Sequence, residues 1–256
     1  MALKPLKQTL FKRPLIIAHR GYRAKYPENT LAAFSAALDI GVKMIELDVM
    51  LTRDRKMVVI HDATLERTTD GHGQVNSYTL QELKELDAGS WFHPRFARER
   101  LPSIEEVLDL VRDRALINIE IKSNAYEAHH PPDAIEKQVV ELVRRKNALA
   151  SVLISSFEWK ILENVASMEE APAIALISKY PADGDNVGRC IRLNVFSWHP
   201  NCGELKYDQV KIMREQGIRV FPYNVDSPGE YQRMIQMDVD GIITSDPLLL
   251  SDLARA

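Results

Sequence analysis

Two carboxylates stand two residues apart inside an apolar run in the first quarter of the chain. Glu46 and Asp48 alternate with Leu47 and Val49 in the segment IELDV. Because successive side chains of a β-strand point to opposite faces, both carboxylates share one face if this run is a strand. Acidic groups crowded together in this way repel each other unless a cation neutralises them. The pair is therefore a candidate metal-binding element.

The same alternation recurs later, where Glu120 and Lys122 share one face of the segment NIEIK. Either segment alone is explained equally well as exposed charges on a half-buried strand, and it is the recurrence that favours a metal site. Carboxylate oxygens are ligands for hard divalent ions. We therefore predict that Glu46, Asp48 and Glu120 bind Mg²⁺ or Ca²⁺ rather than zinc.

Two histidines each follow directly on an apolar run, His19 after LIIA and His61 after MVVI. Imidazole titrates near neutral pH, so two histidines beside a metal predict a general acid and a general base. The sequence leaves open which is which. Arg20 and Lys122 are candidate phosphate ligands, the first through a planar fork and the second as a point charge. The other histidines are expected to have surface or structural roles: His72, His93, His129, His130 and His199.

The elements that must position these side chains are short β-branched runs alternating with longer helical patterns, which is typical of a parallel sheet. Strands are predicted at Leu15–Ala18, Lys43–Val49, Met57–Ile60, Leu116–Ile121, Val152–Ser155, Ala173–Leu176, Val195–Trp198, Arg219–Pro222 and Gly241–Thr244. Helices are predicted at Thr30–Ile40, Ser103–Arg112, Asp133–Arg145, Glu158–Ser167, Tyr207–Gln216, Pro228–Met237 and Pro247–Ala254. Asn29 is the expected cap of the first helix, and Ser103 of the second.

Eight of these strands suffice to close a (β/α)8 TIM barrel, an α/β fold whose active sites lie at the C-terminal ends of its strands. The segment Met57–Ile60 then pairs at one edge of the site or extends the second βα unit. Residues 62–101 fit no βα unit, so we expect a small inserted subdomain over the barrel mouth, with a short helix at Thr79–Leu86. The segment from Tyr180 to Arg192 is short and irregular for a barrel helix. All 256 residues are predicted to form a single domain.

Composition excludes several classes of protein. A net charge of −3 with interspersed signs provides no basic stripe for nucleic acid. Cys190 and Cys202 are too few for a disulfide framework. Neither a secretory signal nor a membrane-spanning run is recognisable, so a soluble cytoplasmic protein is expected. The basic residues before the first strand are interpreted as a solvated lead-in rather than a membrane-docking segment. Composition makes no prediction about the oligomeric state.

Ordered stretches along almost the whole chain resemble the glycerophosphodiester phosphodiesterase family. They are AHRGYRAKYPENTLAAF, IELDVMLTRDRKMVVIHDATLERTTDGHGQVNSYTLQELKELDAG, RLPSIEEVLDL, INIEIKS, SSF and GIITSDP. The resemblance implies a barrel with an inserted subdomain. It also implies a divalent ion on the residues matching Glu46, Asp48 and Glu120, His19 and His61 as the acid and base pair, and Arg20 and Lys122 on the phosphate.

Two further positions rest mainly on this resemblance. Glu28, in the stretch PENT, is implied to orient groups at the substrate and phosphate site, although helix capping explains much of that stretch. Tyr223 begins YNVD where the family commonly has WTVN, so it supplies an aromatic wall with an added polar handle at the substrate site.

The reaction implied is attack of a glycerol hydroxyl on the neighbouring phosphorus, which releases an alcohol such as choline or ethanolamine. Water then opens the cyclic phosphate to sn-glycerol 3-phosphate. Two alternatives remain: a lysophospholipase D-like enzyme acting on lysolipids, and a catalytically silent barrel that binds glycerophosphodiesters. The intact set of histidines, carboxylates and cations favours an enzyme, and arginines in the inserted segment favour water-soluble diesters.

Overall fold

The strands of this protein form a barrel whose interior is apolar at one end and polar at the other. The computed structural model describes residues 6, 13–179 and 185–248. The strands are β1 (Leu15–Ala18), β2 (Met44–Leu51), β3 (Met57–Val59), β4 (Leu116–Ile121), β5 (Val152–Ser156), β6 (Ala173–Ser178), β7 (Ser197–Pro200), β8 (Arg219–Val220) and β9 (Gly241–Thr244). In the described residues, all of them except β3 run parallel, in the order β8-β7-β6-β5-β4-β2-β1-β9.

The chain just beyond β8 closes the barrel onto β9. Tyr223 forms a parallel bridge with Ile243, and the Ile243 backbone N–H donates to the Pro222 carbonyl over 2.9 Å. The predicted (β/α)8 TIM barrel is confirmed.

Helices follow the barrel strands and cover their outer faces. They are α1 (Leu31–Asp39), α3 (Ile104–Val111), α4 (Ile135–Arg145), α5 (Trp159–Ala166), α6 (Asn186–Arg192), α7 (Tyr207–Glu215) and α8 (Pro228–Gln236), whereas α2 (Leu80–Lys84) belongs to the inserted segment. Helix α6 was not predicted, because seven residues that include Gly188 provide little apolar periodicity. Most of the predicted helix Pro247–Ala254 lies outside the described residues. No helix in the described ranges is both long and apolar enough to cross a membrane.

The cap predicted for α1 was wrong. Thr30, not Asn29, occupies the N-cap, and its hydroxyl accepts a hydrogen bond from the Ala33 backbone N–H over 3.2 Å. Asn29 lies one residue earlier in a left-handed conformation, with a φ of 57°. The cap predicted at Ser103 is confirmed, as part of a capping box with Glu106.

The barrel interior becomes polar towards the C-terminal ends of the strands. Ile17, Met44, Leu116, Leu153 and Phe221 belong to one buried apolar cluster at the lower level. Because side chains on one face of a strand recur every second residue, the positions above Met44 are Glu46 and Asp48, and those above Leu116 are Asn118 and Glu120. The alternation thus places the polar residues at the mouth.

The inserted segment has its own apolar cluster. Leu65, Val75, Leu83, Ala88 and Leu101 are buried together against residues of β2 and β3. Strand β3 pairs antiparallel with the far end of β2, which agrees with the first of the two alternatives given for this segment. Since the chain leaves β3 at residue 60, the subdomain is anchored beside the mouth of the barrel.

Candidate active site

Three carboxylates converge at the mouth of the barrel. Glu46 and Asp48 come from β2 and Glu120 from β4, and strand register sets Asp48 directly beside Glu120. Each offers one oxygen such that the three oxygens lie within 4.8 Å of one another. All three side chains are buried. The convergence expected from the two alternating segments is therefore present.

Charge and burial make this cluster a good fit for a cation. Burial, with Asp48 and Glu120 nearby, raises the pKa of Glu46 well above its ordinary value. Burial and Asp48 likewise raise the pKa of Glu120. One Glu46 oxygen, Oε1, is buried without a hydrogen-bond partner among the described residues. An all-oxygen donor set with an unsatisfied oxygen matches a hard divalent ion, and Glu46, Asp48 and Glu120 are the residues that would hold it.

Lys122 lies against two of these carboxylates. Its Nζ donates to Glu120 Oε1 over 2.6 Å and to Asp48 Oδ1 over 3.2 Å. Burial opposes the charge of Lys122, but Asp48 and Glu120 raise its pKa above the usual value. Although burial also opposes ionisation of Asp48, Lys122 and Arg20 hold the Asp48 pKa well below its ordinary value. Lys122 therefore remains a cation at the mouth.

A tight turn after β1 brings Arg20 over the site. Its backbone N–H donates to Glu46 Oε2 over 2.9 Å, and its Nη1 donates to Glu28 Oε1 over 2.8 Å. Its Nε lies 3.1 Å from Asp48 Oδ2. Gly21 follows with a φ of 81°, and a Cβ there would lie 2.6 Å from the Ala33 carbonyl carbon. The close approach explains why glycine stands beside Arg20.

The two histidines differ in their surroundings. His19 is buried, with its Nε2 3.9 Å from Glu46 Oε2. Burial and the positive charge of Arg20 put its pKa well below the ordinary value. His61 is partly exposed, and its Nδ1 lies 2.5 Å from Asp62 Oδ1. Burial lowers the pKa of His61 as well, whereas Asp48 and Asp62 oppose that change.

Both histidines line one cavity of about 170 Å³. Other lining residues are Arg20, Glu46, Asn118, Glu120, Phe157, Ile177, His199, Tyr223, Asn224 and Ile243. Phe157 and Tyr223 meet edge to face, with ring centroids 6.1 Å apart, and form the aromatic side. Three residues selected from the sequence do not line the cavity but contact residues that do. Asp48 and Glu28 contact Arg20, and Lys122 contacts Glu120.

Sequence reasoning missed several residues of the site. His199, for which only a surface or structural role was expected, lies in the cavity wall with 1% of its surface exposed, and its Nε2 is 2.9 Å from Ser197 Oγ. Asn118 shares the wall, and its position two residues before Glu120 was an available signal. Asn29, considered only as a cap, donates from Nδ2 to Asp48 Oδ2 over 2.9 Å.

Comparison with known proteins gives consistent results. Residues 19–249 match the model of the glycerophosphoryl diester phosphodiesterase family. A glycerophosphodiester phosphodiesterase of Caldanaerobacter subterraneus subsp. tengcongensis is 40% identical over 244 residues, which cover 95% of this chain and 98% of that protein. A Bacillus subtilis protein of the same name is 30% identical over 95% of this chain and 87% of its own length.

Solved structures agree on the architecture. An Oleispira antarctica phosphodiesterase in complex with the product sn-glycerol-3-phosphate superposes with a TM-score of 0.83 at 25% identity, covering 95% of this chain and 97% of that one. A glycerophosphodiester phosphodiesterase from Agrobacterium tumefaciens superposes with a TM-score of 0.78 at 27% identity, over 93% of this chain and 99% of its own.

Proposed function

Because this chain belongs to the glycerophosphoryl diester phosphodiesterase family, we propose that it hydrolyses glycerophosphodiesters to sn-glycerol 3-phosphate and a free alcohol. The observation that carries the proposal is that two histidines, Glu46, Glu120 and Arg20 line one cavity, while Asp48 and Lys122 contact residues of its lining. The relatives named as phosphodiesterases, and the Oleispira complex with sn-glycerol-3-phosphate, support the same substrate class.

Glu46, Asp48 and Glu120 are the proposed ligands of one divalent ion, Mg²⁺ or Ca²⁺. When bound, such an ion offsets the negative charge of the cluster and polarises phosphoryl oxygens. Arg20 and Lys122 would stabilise the charge that grows on those oxygens during attack. Both are already fixed by carboxylates in the described structure, so little reorganisation is needed when substrate arrives.

The surroundings of the histidines suggest a division of roles. His19 is kept neutral by burial and by Arg20, and a neutral imidazole accepts a proton, so His19 is the proposed base. The pKa of His61 is lowered by burial too, but less than that of His19, because Asp48 and Asp62 favour its protonated form, so His61 is the proposed acid.

In the first step, His19 takes the proton from the glycerol hydroxyl next to the phosphate. The new O–P bond forms as the bond to the alcohol breaks, and His61 gives its proton to that alcohol. In the second step, His61 takes a proton from water, which attacks the cyclic phosphate. His19 returns its proton to the glycerol oxygen as the ring opens, and both histidines regain their starting forms.

The test is release of glycerol 3-phosphate from glycerophosphocholine by the purified protein, with Mg²⁺, with Ca²⁺ and with a chelator. Metal-dependent release that is lost in folded His19→Ala and Glu46→Gln variants is the expected result. Absence of release from several small glycerophosphodiesters under every metal would overturn the proposal. Release from lysolipids alone, or binding without turnover, would then identify which alternative applies.

The roles of the histidines are tested with glycerophospho-p-nitrophenol, whose leaving group needs no protonation. In the first turnover, His61→Ala is expected to release choline far more slowly than wild type but nitrophenol at a rate much closer to it. The cyclic phosphate then accumulates with either substrate, because His61 also takes the proton from water in the second step. His19→Ala should lose activity on both, since the attacking hydroxyl needs a base in either case. The reverse pattern would exchange the two roles.

A further inference from the structure

An arginine of the inserted subdomain reaches back to the barrel mouth and joins two carboxylates there. The Nε of Arg67 donates to Asp62 Oδ2 over 2.5 Å. Its Nη1 and Nη2 donate to Glu28 Oε2 and Oε1 over 2.9 and 2.7 Å. One guanidinium thus makes three charge-assisted hydrogen bonds, an arrangement that a planar fork permits and a lysine ammonium does not.

Each of these two carboxylates also contacts a residue of the proposed mechanism. Asp62 Oδ1 lies 2.5 Å from His61 Nδ1, while the other oxygen, Oδ2, accepts from Arg67. Glu28 Oε1 also accepts from Arg20 Nη1 over 2.8 Å. A continuous chain therefore runs from His61 through Asp62, Arg67 and Glu28 to Arg20, and links the proton-transfer group to the phosphate-binding group.

We propose that Arg67 is a positioning residue that fixes His61 and Arg20 relative to each other. The inference rests on the proposed function. Arg67 is outside the residues that line the cavity, so it acts through its two carboxylates and not on substrate. With Nδ1 of His61 facing Asp62, the Nε2 edge of the ring is left for the cavity. The two hydrogen bonds from Arg67 fix the Glu28 carboxylate, and Glu28 in turn holds Arg20.

The geometry also predicts that the protein folds without this arginine. The Arg67 side chain is 44% exposed, and the buried Glu28 carboxylate keeps its ion pair with Arg20 when Arg67 is replaced. The loss of stability is therefore expected to be close to that of exposed ion pairs, about 0–1 kcal/mol. Asp62 is part-exposed as well. A change of Arg67 is therefore expected to alter the geometry of the site more than the stability of the barrel.

The experiment compares Arg67→Met with wild type on glycerophosphocholine and on glycerophospho-p-nitrophenol, in saturating metal. If Arg67 positions the acid, the first-turnover rate of choline release from glycerophosphocholine falls by about 10- to 100-fold, the range for lost outer-shell partners. The fall on the nitrophenyl diester is expected to be several-fold smaller. Arg67→Lys is expected to behave like Arg67→Met, because the three donors of an ammonium share one nitrogen and cannot reproduce the planar fork that spans both carboxylates.

Arg53→Met is the matched control. Arg53 also holds the inserted subdomain, through Glu82 and the Ser77 carbonyl, but it takes no part in the chain to His61. This variant should keep wild-type rates on both substrates. If Arg67→Met loses activity equally on the two diesters, or if Arg53→Met shows the same selectivity, Arg67 is only an anchor and the inference fails.

A double-mutant cycle separates this result from a failure of the proposed function. Asp62→Asn combined with Arg67→Met should be little worse than the more damaging single change, because both break the same chain. Additive losses would overturn the coupling. Inactivity of the wild type on both diesters would instead reject the proposed function itself.

Discussion

The amide of Asn29 donates a hydrogen bond to Asp48 over 2.9 Å, and Asp48 is a proposed metal ligand buried at the barrel mouth. The donor comes from the loop before α1 and the acceptor from β2. Since Lys122 occupies the other oxygen of Asp48, the amide fixes the plane of the carboxylate from the opposite side. The relationship gives Asn29 a role that a helix cap does not.

Asn29→Ala is accordingly expected to weaken metal activation by about tenfold, the lower end of the range for loss of an outer-shell partner. The measurement is the Mg²⁺ or Ca²⁺ concentration that gives half-maximal activity. Asn164→Ala, which removes an amide bonded to Glu136 far from the site, is the control and should leave that concentration unchanged. An equal change in both variants would contradict the assigned role.

Glu46→Gln should affect stability in opposite directions with and without metal. Burial and the neighbouring Asp48 and Glu120 raise the pKa of Glu46, so its ionised form is unfavourable when no cation is present. The neutral amide removes that repulsion, and the metal-free variant should melt at a higher temperature than wild type. Thermal unfolding in chelator measures this.

Adding metal should reverse the order. A ligand at about 100 times its Kd stabilises a protein by about 2.7 kcal/mol. Wild type is expected to gain this stabilisation, whereas Glu46→Gln, which lacks one of three carboxylate ligands, gains little. Unfolding curves that respond equally to metal in the two proteins would argue against Glu46 as a ligand.

Local periodicity accounts for what the sequence could predict. Alternation alone placed Glu46 and Asp48 on one face of a strand, and Glu120 on one face with Lys122, because a strand repeats every two residues wherever it lies. The apolar runs before His19 and His61 likewise marked the strand ends. These features depend on neighbours in sequence, so the barrel strands and the acidic cluster were predictable.

What escaped prediction depends on distant contacts. Arg67 meets Glu28 across 39 residues of chain, and no local pattern specifies that pairing. His199 enters the cavity only because eight strands close into a barrel of fixed register. Asn29 was mistaken for the cap because asparagine is a common N-cap residue and the true cap, Thr30, lies only one position later.

Gly21→Ala tests the turn that holds Arg20. A left-handed φ costs a non-glycine residue about 1–2 kcal/mol, and the added Cβ would also meet the backbone of Ala33 at 2.6 Å. We expect a loss of stability beyond that strain, together with loss of activity as Arg20 is displaced.

Gly41→Ala provides the matched control for Gly21→Ala. Gly41 has a φ of 82°, but nothing lies within 4 Å of an added Cβ. The control should show the conformational strain alone and keep activity. Equal unfolding free energies of the two variants in urea, with equal activity, would show that the contact with Ala33 does not matter.

His199 should make stability fall in mild acid. Burial lowers the pKa of His199 to about 3, against about 6.5 in an unfolded chain. The folded state therefore holds it neutral, and its contribution is fully present above pH 6.5 and is lost as pH falls towards 3. At pH 5 the loss is about 2 kcal/mol by proton linkage.

His199→Gln should be less stable at neutral pH but show a shallower decline between pH 6.5 and 4 in chelator, measured as the unfolding free energy in urea. His129→Gln, on an exposed side chain, is the control with the wild-type decline; a His199→Gln curve parallel to wild type would mean that another group governs the acid limb.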